Sequence, residues 1–250
     1  MENIAVIILA AGKGSRMKSD LAKVLHEVAG KSMVNHVIEM AYEIAAGHIH
    51  VVVGHQADRV QKEILKYHNV HFAFQKKLLG TGDAVRVALP GLDSGIEHVL
   101  VLCGDVPLIK KQTIVDLISA HQALKSELTV LAVKVNDPTG YGRIIQDNHG
   151  QLLAIREEAD ATDVEKHISL VNSGIFCFEK EFLHANLGRI QNNNSQEEYY
   201  LTDLVEIAVR DNAKTLVRVT QDADQVMGVN TIEQLSRINA AFHKASNELS

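Results

Sequence analysis

The sequence predicts an α/β fold, a doubly wound and mostly parallel sheet with helices on both faces and a smaller β-rich lobe. Short apolar runs alternate with segments of helical period through the first half of the chain. The first run, residues 4–9, is apolar throughout, which is typical of a strand buried on both faces. Hydrophobic residues make up 46% of the 250 residues, enough for one large core.

The predicted strands and helices follow from the spacing of apolar residues, which changes along the chain. Strands are predicted to Leu9 and at 49–53, 70–74 and 99–102, and helices over about 33–46, 58–66, 82–89 and 112–124. After residue 128 the pattern becomes richer in strands, at 129–135, 143–146 and 170–178, before helices return at about 200–210 and 232–245. We therefore expect a single domain with a first half over 1–128, a second half over 129–230 and a C-terminal helix over 231–250.

A glycine loop directly follows the first strand, with the sequence Ala10-Ala11-Gly12-Lys13-Gly14-Ser15-Arg16-Met17. Its glycines allow close backbone approach to a bound group, and its two basic side chains indicate an anion. A dinucleotide fingerprint fits poorly, because Met17 stands at the third glycine position and the next strand ends in Gly54-His55-Gln56 without an acid. A P-loop also fits poorly, because Gly14 is followed by Ser15 rather than lysine. A turn in which the glycines serve geometry alone is the structural alternative.

Composition narrows the function classes. The net charge is −6, which argues against a broad basic surface for nucleic acid. No apolar run has the length of a membrane span, and no secretory signal is recognisable, so we expect a cytoplasmic protein without a membrane partner. The 13 histidines show no metal-binding spacing, and Cys103 and Cys177 lie in apolar runs as expected of buried thiols.

Further candidate residues follow predicted strands. Asp105 comes directly after the strand at 99–102, where a carboxylate either holds Mg²⁺ or caps a proline turn. Gln75 and Thr81 flank the start of a helix, so they either read a nucleobase edge or cap that helix. Lys23 either joins the glycine loop or is solvated.

These segments together resemble a known family. Residues 9–17 and Lys23-Val24-Leu25-His26 are similar to the opening signature of sugar-nucleotide pyrophosphorylases. The remaining motifs narrow the resemblance to the N-terminal uridyltransferase domain of bacterial bifunctional N-acetylglucosamine-1-phosphate uridyltransferases. These motifs, which span nearly the whole chain, are Leu79-Gly80-Thr81-Gly82, Gly104-Asp105-Val106-Pro107-Leu108, Asp137-Pro138-Thr139-Gly140-Tyr141-Gly142-Arg143, Asp160-Ala161-Thr162, Asn172-Ser173-Gly174-Ile175, Glu198-Tyr199-Tyr200-Leu201-Thr202-Asp203 and Gly228-Val229-Asn230.

The resemblance implies a Rossmann-like nucleotidyltransferase fold and a set of site residues. Lys13, Arg16 and Lys23 are expected to meet phosphates and act in catalysis, and Asp105 and Asn230 to hold Mg²⁺. The first half is expected to bind the nucleotide and the second half the sugar. The expected substrate contacts are Leu9, Ala10, Ala11, Gly12, Gln75, Gly80, Thr81 and Gly104 for the nucleotide, and Gly140, Glu157, Asn172 and Asn230 for the sugar phosphate.

The implied reaction joins UTP and N-acetylglucosamine 1-phosphate into UDP-N-acetylglucosamine, a peptidoglycan precursor, and pyrophosphate. The alternatives are a nucleotidyltransferase for another nucleotide or sugar phosphate, and an inactive UDP-sugar binding module. No hexapeptide-repeat acetyltransferase domain is expected here, and acetyl transfer would belong to a separate partner. Two positions depart from the family pattern: Ala22 replaces the usual proline, which predicts a looser loop, and Cys103 replaces a frequent tyrosine.

Overall fold

The computed structural model describes residues 3–45 and 47–247. Eleven strands and seven α-helices are assigned within these residues. The strands are β1 (Ile4–Ala10), β2 (Glu27–Val28), β3 (Lys31–Ser32), β4 (Ile49–Val53), β5 (His71–Phe74), β6 (His98–Cys103), β7 (Leu128–Lys134), β8 (Arg143–Gln146), β9 (Leu152–Arg156), β10 (Leu170–Glu179) and β11 (Thr215–Thr220). The helices are α1 (Met33–Ala45), α2 (Ala57–Ile64), α3 (Thr81–Ala88), α4 (Lys111–Ala123), α5 (Lys180–Asn186), α6 (Asp203–Arg210) and α7 (Ile232–Asn247).

A single nine-stranded sheet organises the fold, with the order β11-β7-β10-β6-β1-β4-β5 and with β8 and β9 attached beside β10. Strand β1 pairs in parallel with β4 on one side and with β6 on the other. The strand order therefore reverses at the β1–β6 boundary, which is where doubly wound sheets bind ligands at the carboxyl ends of their strands. The predicted fold class is confirmed.

Strand β10 runs antiparallel to both β6 and β7. Its first residues consequently lie at the edge of the sheet where β6 ends. A register shift between Asn172 and Ile175 bulges β10 at this point, and such bulges re-aim the side chains next to them. The second half of the chain thus reaches the same edge as the loops of the first half.

The helices cover both faces of the sheet because its central strands present apolar side chains on both sides. In β1, Ile4, Val6 and Ile8 belong to one buried cluster, whereas Ala5 and Ile7 belong to the cluster on the other face. Helix α1 packs against the first face through residues such as Val34, Val37 and Ile38. The alternation in β1 explains why its sequence is a continuous apolar run.

Most predicted elements match within two residues, but several were missed. The predicted helix at 200–210 is wrong at its start, because α6 begins at Asp203. Strands β2, β3, β9 and β11 and the short helix α5 were not predicted. The seven residues of α5 are too few to establish a period. Residue 46 of the predicted first helix and residues 248–250 of the predicted C-terminal helix lie outside the described residues.

The two cysteines differ. Cys177 is buried, as predicted, whereas Cys103 is only partly buried. The prediction was wrong for Cys103 because the end of β6 opens onto a cavity, which the apolar run alone does not reveal. Across the described residues, no helix has both the length and the apolar character that a membrane crossing requires.

Two buried histidines make the stability of the fold depend on pH. Burial lowers the pKa of His121 to about 4, with a smaller contribution from His98. Burial, followed by repulsion from His71, lowers the pKa of His50 to about 4. Between their ordinary value near 6.5 and about 4, the unfolded chain binds protons that the folded chain does not. Each histidine therefore stabilises the fold fully above pH about 6.5 and progressively less as the pH falls to about 4.

We predict that the difference in unfolding free energy between wild type and His121→Gln shrinks by about 2–3 kcal/mol between pH 7.5 and 4.5. The measurement is urea unfolding at both values. The comparison with the variant is needed because burial raises the pKa of Asp203 to about 6, which acts in the opposite direction in the same range but equally in both proteins. A difference that does not change with pH would contradict the prediction.

Candidate active site

The candidate site lies where the carboxyl ends of β1 and β6 meet. The glycine loop leaves β1 at Ala10, and Gly104 and Asp105 leave β6 beside it. The Gly104 N–H donates a hydrogen bond to the Leu9 carbonyl at 2.9 Å. A Cβ at Gly104 would lie 3.1 Å from that carbonyl oxygen, so the glycine permits the close approach of the two strand ends. Parallel pairing of β1 and β6 thus brings the two loops together.

Gly14 fixes the path of the glycine loop over Lys23. Its φ of +65° lies in the left-handed region, which favours glycine. A Cβ at this position would collide with Lys23 Cβ, so the side chain of Lys23 lies directly against the loop. Lys23 itself begins a 3₁₀ turn, Lys23–Leu25. Gly14 and Lys23 are nine positions apart in the sequence, yet they pack together. The two parts of the sequence signature therefore form one packed unit.

Lys23, Asp105, Asn230 and Arg16 form a hydrogen-bonded cluster. Lys23 Nζ lies 2.5 Å from Asp105 Oδ2 and 3.1 Å from Asn230 Oδ1. Arg16 donates to the same Asn230 oxygen at 2.9 Å. The Lys23 and Asp105 side chains are only 19% and 12% exposed, so solvent weakens their attraction less than it would at the surface. Lys13, by contrast, is exposed and lies outside this cluster.

The loop that carries Asn230 is attached to Asp105 directly. The Val229 N–H donates to the Asp105 carbonyl at 3.0 Å. A Cβ at Gly228 would lie 2.8 Å from Asp105 Oδ2, so the carboxylate packs against bare backbone. This contact brings Asn230 to Asp105 across a separation of more than a hundred residues. They lie together, on the same side of the sheet, as the implied metal site requires.

The two oxygens of this cluster are of the kind that a divalent cation binds. Asp105 Oδ2 and Asn230 Oδ1 both accept from Lys23 Nζ, so they lie close together beside that ammonium group. One carboxylate and one amide oxygen are the sparse, hard ligands with which Mg²⁺ sites are completed by phosphates and water. The described residues contain no group of three or more His, Cys, Asp or Glu side chains able to hold a metal by themselves. The donor set thus suits a metal that arrives with a phosphorylated ligand.

Gln75, Gly80 and Thr81 lie together at the start of α3. The Gln75 side chain is buried, and its Nε2 donates to the Gly80 carbonyl at 3.0 Å and to Asp83 at 2.9 Å. Both amide hydrogens are thereby used, which leaves Oε1 as the group able to accept from a ligand. Gly80 has a φ of +104°, and a Cβ there would collide with the backbone of Tyr199. Thr81 Oγ1 accepts from the Leu201 N–H at 3.0 Å.

A cavity of about 190 Å³ lies beside Asp105. It joins residues from both halves of the chain. Glu157, directly after β9, lies at this cavity and accepts a hydrogen bond from Thr202 Oγ1 at 3.0 Å. Burial raises the pKa of Glu157, and the hydrogen bond from Thr202 opposes that shift. The lining residues include Leu9, Thr81, Cys103, Asp105, Gly140, Glu157, Asn172, Thr202, Gly228 and Asn230.

Gly140 and Asn172 reach this cavity through separate supports. The Gly140 N–H donates to Glu158 at 3.0 Å, and Glu158 pairs with the buried Arg143 at 2.7 Å. Asn172 stands at the bulge of β10, where its side chain accepts from the Gly174 N–H at 3.0 Å. Cys103 lies beside Gly174, because a Cβ there would be 2.8 Å from its sulfur. Burial raises the pKa of Cys103 to about 12, so the thiol stays neutral.

Sequence reasoning missed several residues that support the site. Thr202 and Glu158 occur in or beside the motifs, yet no role was assigned to them. Ala22, expected to loosen its loop, is 1% exposed and hydrogen-bonded to Gln56. No local pattern reveals these pairs, because Thr202 and Glu157 are 45 positions apart and Ala22 and Gln56 are 34 apart.

Comparison with known proteins agrees with this geometry. Residues 5–235 match the nucleotidyl transferase family. The chain is 48% identical over 243 residues to the bifunctional protein GlmU of Trichlorobacter lovleyi, covering 97% of this chain and 53% of that protein. It is 41% identical to the bifunctional protein GlmU of Desulfotalea psychrophila, covering 98% and 72%. The structure of 4-diphosphocytidyl-2C-methyl-D-erythritol synthase from Anaerococcus prevotii superposes with a TM-score of 0.67 at 19% identity, over 97% of this chain and 99% of that one.

A doubly wound sheet with a cation cluster at its switch point is typical of proteins that bind an anionic ligand at that edge of the sheet. Within that class, the chain belongs to the nucleotidyl transferase family. The resemblance that the motifs predict is confirmed. The chain spans about half the length of most of the curated relatives that it matches. The structural likeness, at 19% identity, supports the fold alone.

We predict that Gly14→Ala lowers the unfolding free energy by about 1–2 kcal/mol, because an alanine is strained at positive φ. The added methyl group also displaces Lys23, so the affinity for inorganic tripolyphosphate falls. Urea unfolding and calorimetric titration measure the two effects. The control is Gly188→Ala, where a Cβ would meet nothing within 4 Å. Equal behaviour of the two variants would contradict the prediction.

Proposed function

We propose that this chain transfers a uridylyl group from UTP to N-acetylglucosamine 1-phosphate. A phosphate oxygen of the sugar phosphate attacks the α-phosphorus of UTP, and the bond from that phosphorus to the oxygen bridging to the β-phosphate breaks. The products are UDP-N-acetylglucosamine and pyrophosphate. The attacking oxygen is already ionised near neutral pH, so the reaction needs no protein nucleophile and no strong base.

The observation that carries the proposal is the cluster at the end of the sheet, in which Lys23 pairs with Asp105 and both Lys23 and Arg16 donate to Asn230. The reaction must bring two anions together. Two unit charges of like sign about 4 Å apart repel by about 4 kcal/mol at an effective dielectric constant of about 20. Cationic side chains fixed at this point offset the repulsion and hold the reacting groups in line. We assign Lys13 to the same role from the exposed side of the loop.

The residues that hold the metal in this proposal are Asp105 and Asn230, and the metal is Mg²⁺. The chemistry that Mg²⁺ supplies when bound is neutralisation of charge on the phosphates of the nucleotide. Lys23 then has phosphate oxygens as partners in addition to Asp105. Arg16, which is exposed, reaches the phosphates from the solvent side.

The nucleotide is assigned to the first half of the chain. Leu9, Ala10, Ala11 and Gly12 line the start of the glycine loop, and Gly104 allows the base and ribose to approach the strand ends. Gln75 supports uridine in particular. Both hydrogens of its Nε2 are donated within the chain, so its Oε1 is left to accept. The uracil ring offers an N–H at the position where cytosine offers a bare nitrogen, so an acceptor here selects uracil over cytosine.

The sugar phosphate is assigned to the residues that the second half of the chain, 129–230, contributes to this cavity. A sugar presents hydroxyl donors, and Glu157 supplies carboxylate acceptors held in place by Thr202. The Asn172 amide and the backbone at Gly140 complete the polar lining. We expect a separate acetyltransferase to supply the acceptor, N-acetylglucosamine 1-phosphate. We also expect the protein to be cytoplasmic.

The proposal is tested by measuring pyrophosphate release for each nucleoside triphosphate against a panel of sugar 1-phosphates in Mg²⁺. We expect UTP with N-acetylglucosamine 1-phosphate to give the highest kcat/KM. A preference for another pair would replace the proposed substrates. Binding of UDP-sugars without release of pyrophosphate from any pair would identify a binding module instead.

We predict that Asp105→Ala lowers turnover by at least about 10²-fold, the usual effect of removing one electrostatic stabiliser from an active site. The variant removes the proposed metal ligand and leaves the Lys23 ammonium without its carboxylate. Pyrophosphate release across a Mg²⁺ titration measures the effect. The control is Asp222→Ala, which removes an exposed carboxylate paired with Lys110. Wild-type rates for Asp105→Ala at limiting Mg²⁺ would contradict the assignment.

A further inference from the structure

The loop between β4 and α2, Gly54 to Gln56, touches both ends of the segment that carries the cations. At the first end, the His55 N–H donates to the Ala11 carbonyl at 2.9 Å. Gly54 lies against the same residue, since a Cβ there would be 3.0 Å from Ala11 Cβ. These contacts fix the loop against the start of the glycine loop.

The side chain of Gln56 holds the second end of that segment. Its Nε2 donates to the Asp20 carbonyl at 2.6 Å, and its Oε1 accepts from the Ala22 N–H at 3.2 Å. One amide group therefore satisfies two backbone groups that lie directly before Lys23. A primary amide suits this task because it carries a donor and an acceptor side by side.

The backbone of Gln56 is itself fixed. Its φ of 52° and ψ of 39° place it in the left-handed region, which is unfavourable for a residue with a Cβ. Its carbonyl accepts from Arg59 at 2.9 Å and from Val60 at 3.0 Å at the start of α2. The side chain thus projects from the start of α2. Because β4 lies in the sheet directly before this loop, the contacts with Asp20 and Ala22 connect those residues to the sheet.

The position of Ala22 in turn determines the position of the Lys23 backbone. Ala22 is 1% exposed, and its carbonyl accepts from the Leu25 N–H at 2.9 Å to close the turn that contains Lys23. Lysine has a long side chain with several rotatable bonds, so the placement of its ammonium group depends on a fixed backbone. The ammonium group placed in this way is the one that pairs with Asp105.

We propose that Gln56 is a positioning residue, which holds Asp20 and Ala22 so that Lys23 meets the phosphates of the nucleotide. This assignment rests on the proposed function, because the phosphate-binding role of Lys23 belongs to it. Gln56 acts through Lys23 and does not touch the substrate. Its effect on anion binding should therefore disappear when the Lys23 ammonium is removed.

The test is a double-mutant cycle read by calorimetric titration with inorganic tripolyphosphate. We expect Gln56→Ala to weaken binding about 10-fold when Lys23 is present, and less than about 2-fold in the Lys23→Ala background. Equal losses in both backgrounds would show a general structural effect and overturn the proposal. An unchanged affinity for Gln56→Ala would overturn it as well.

Two further variants distinguish a loss of the Gln56 contacts from a general loss of folding. Ala22→Pro removes the N–H that Gln56 accepts, and the φ of −53° at Ala22 is compatible with proline. In that background Gln56→Ala should cost less than about a third of its original loss. Gln56→Glu keeps the acceptor but loses the donor to Asp20, so an intermediate loss is expected. A full loss in the proline background would overturn the proposal.

The matched control is Gln61→Ala, which shortens a glutamine in the helix that follows Gln56 and should leave affinity within about 2-fold. Amide exchange of the ligand-free protein gives a second readout, because the Ala22 N–H should exchange at least about 10-fold faster in Gln56→Ala. Tripolyphosphate carries neither uridine nor sugar. Failure to form UDP-N-acetylglucosamine with an intact cycle would therefore overturn the proposed function and leave the role of Gln56 standing.

Discussion

The ion pair between Lys23 and Asp105 is the interaction on which the rest of the site depends. Both side chains are mostly buried, and burial of one without the other would be costly. The glycines on either side follow from this pair, since a side chain at Gly14 would displace Lys23 and one at Gly228 would displace Asp105. The Asn230 side chain accepts a hydrogen bond from Lys23 of this pair and another from Arg16.

The sheet places this pair where an anion can reach it. Parallel pairing of β1 with β6 puts the glycine loop and Asp105 at the same edge, and the antiparallel β10 returns to that edge with its bulge at 172–175. Residues far apart in sequence thus surround one cavity. The protein carries a net charge of −6, so attraction of anions depends on this local cluster and not on the surface as a whole.

The candidate site combines a cluster of cationic side chains with a separate group of carboxylates. The cluster of Lys23 and Arg16 suits phosphate groups, whereas Glu157 lies near the acidic residues Asp160 and Glu198, which help to raise its pKa. Burial likewise raises the pKa of Asp203 to about 6. Such a division suits a ligand that is anionic at one end and rich in hydroxyl donors at the other, as a sugar phosphate is.

The sequence by itself determined the fold class, the order of most elements and the loops that carry the candidate residues, because the period of apolar residues and the glycine pattern are local properties. It did not reveal β9, α5, the partial exposure of Cys103 or the supports that Thr202, Glu158 and Gln56 provide. Only the tertiary structure decided those, as well as the meeting of Asp105 with Asn230, because each depends on contacts between segments whose separation in the chain leaves no periodic signal. The distances between these side chains depend on which strands pair and where a strand bulges. Neither the pairing nor the bulge can be recognised from the local sequence pattern.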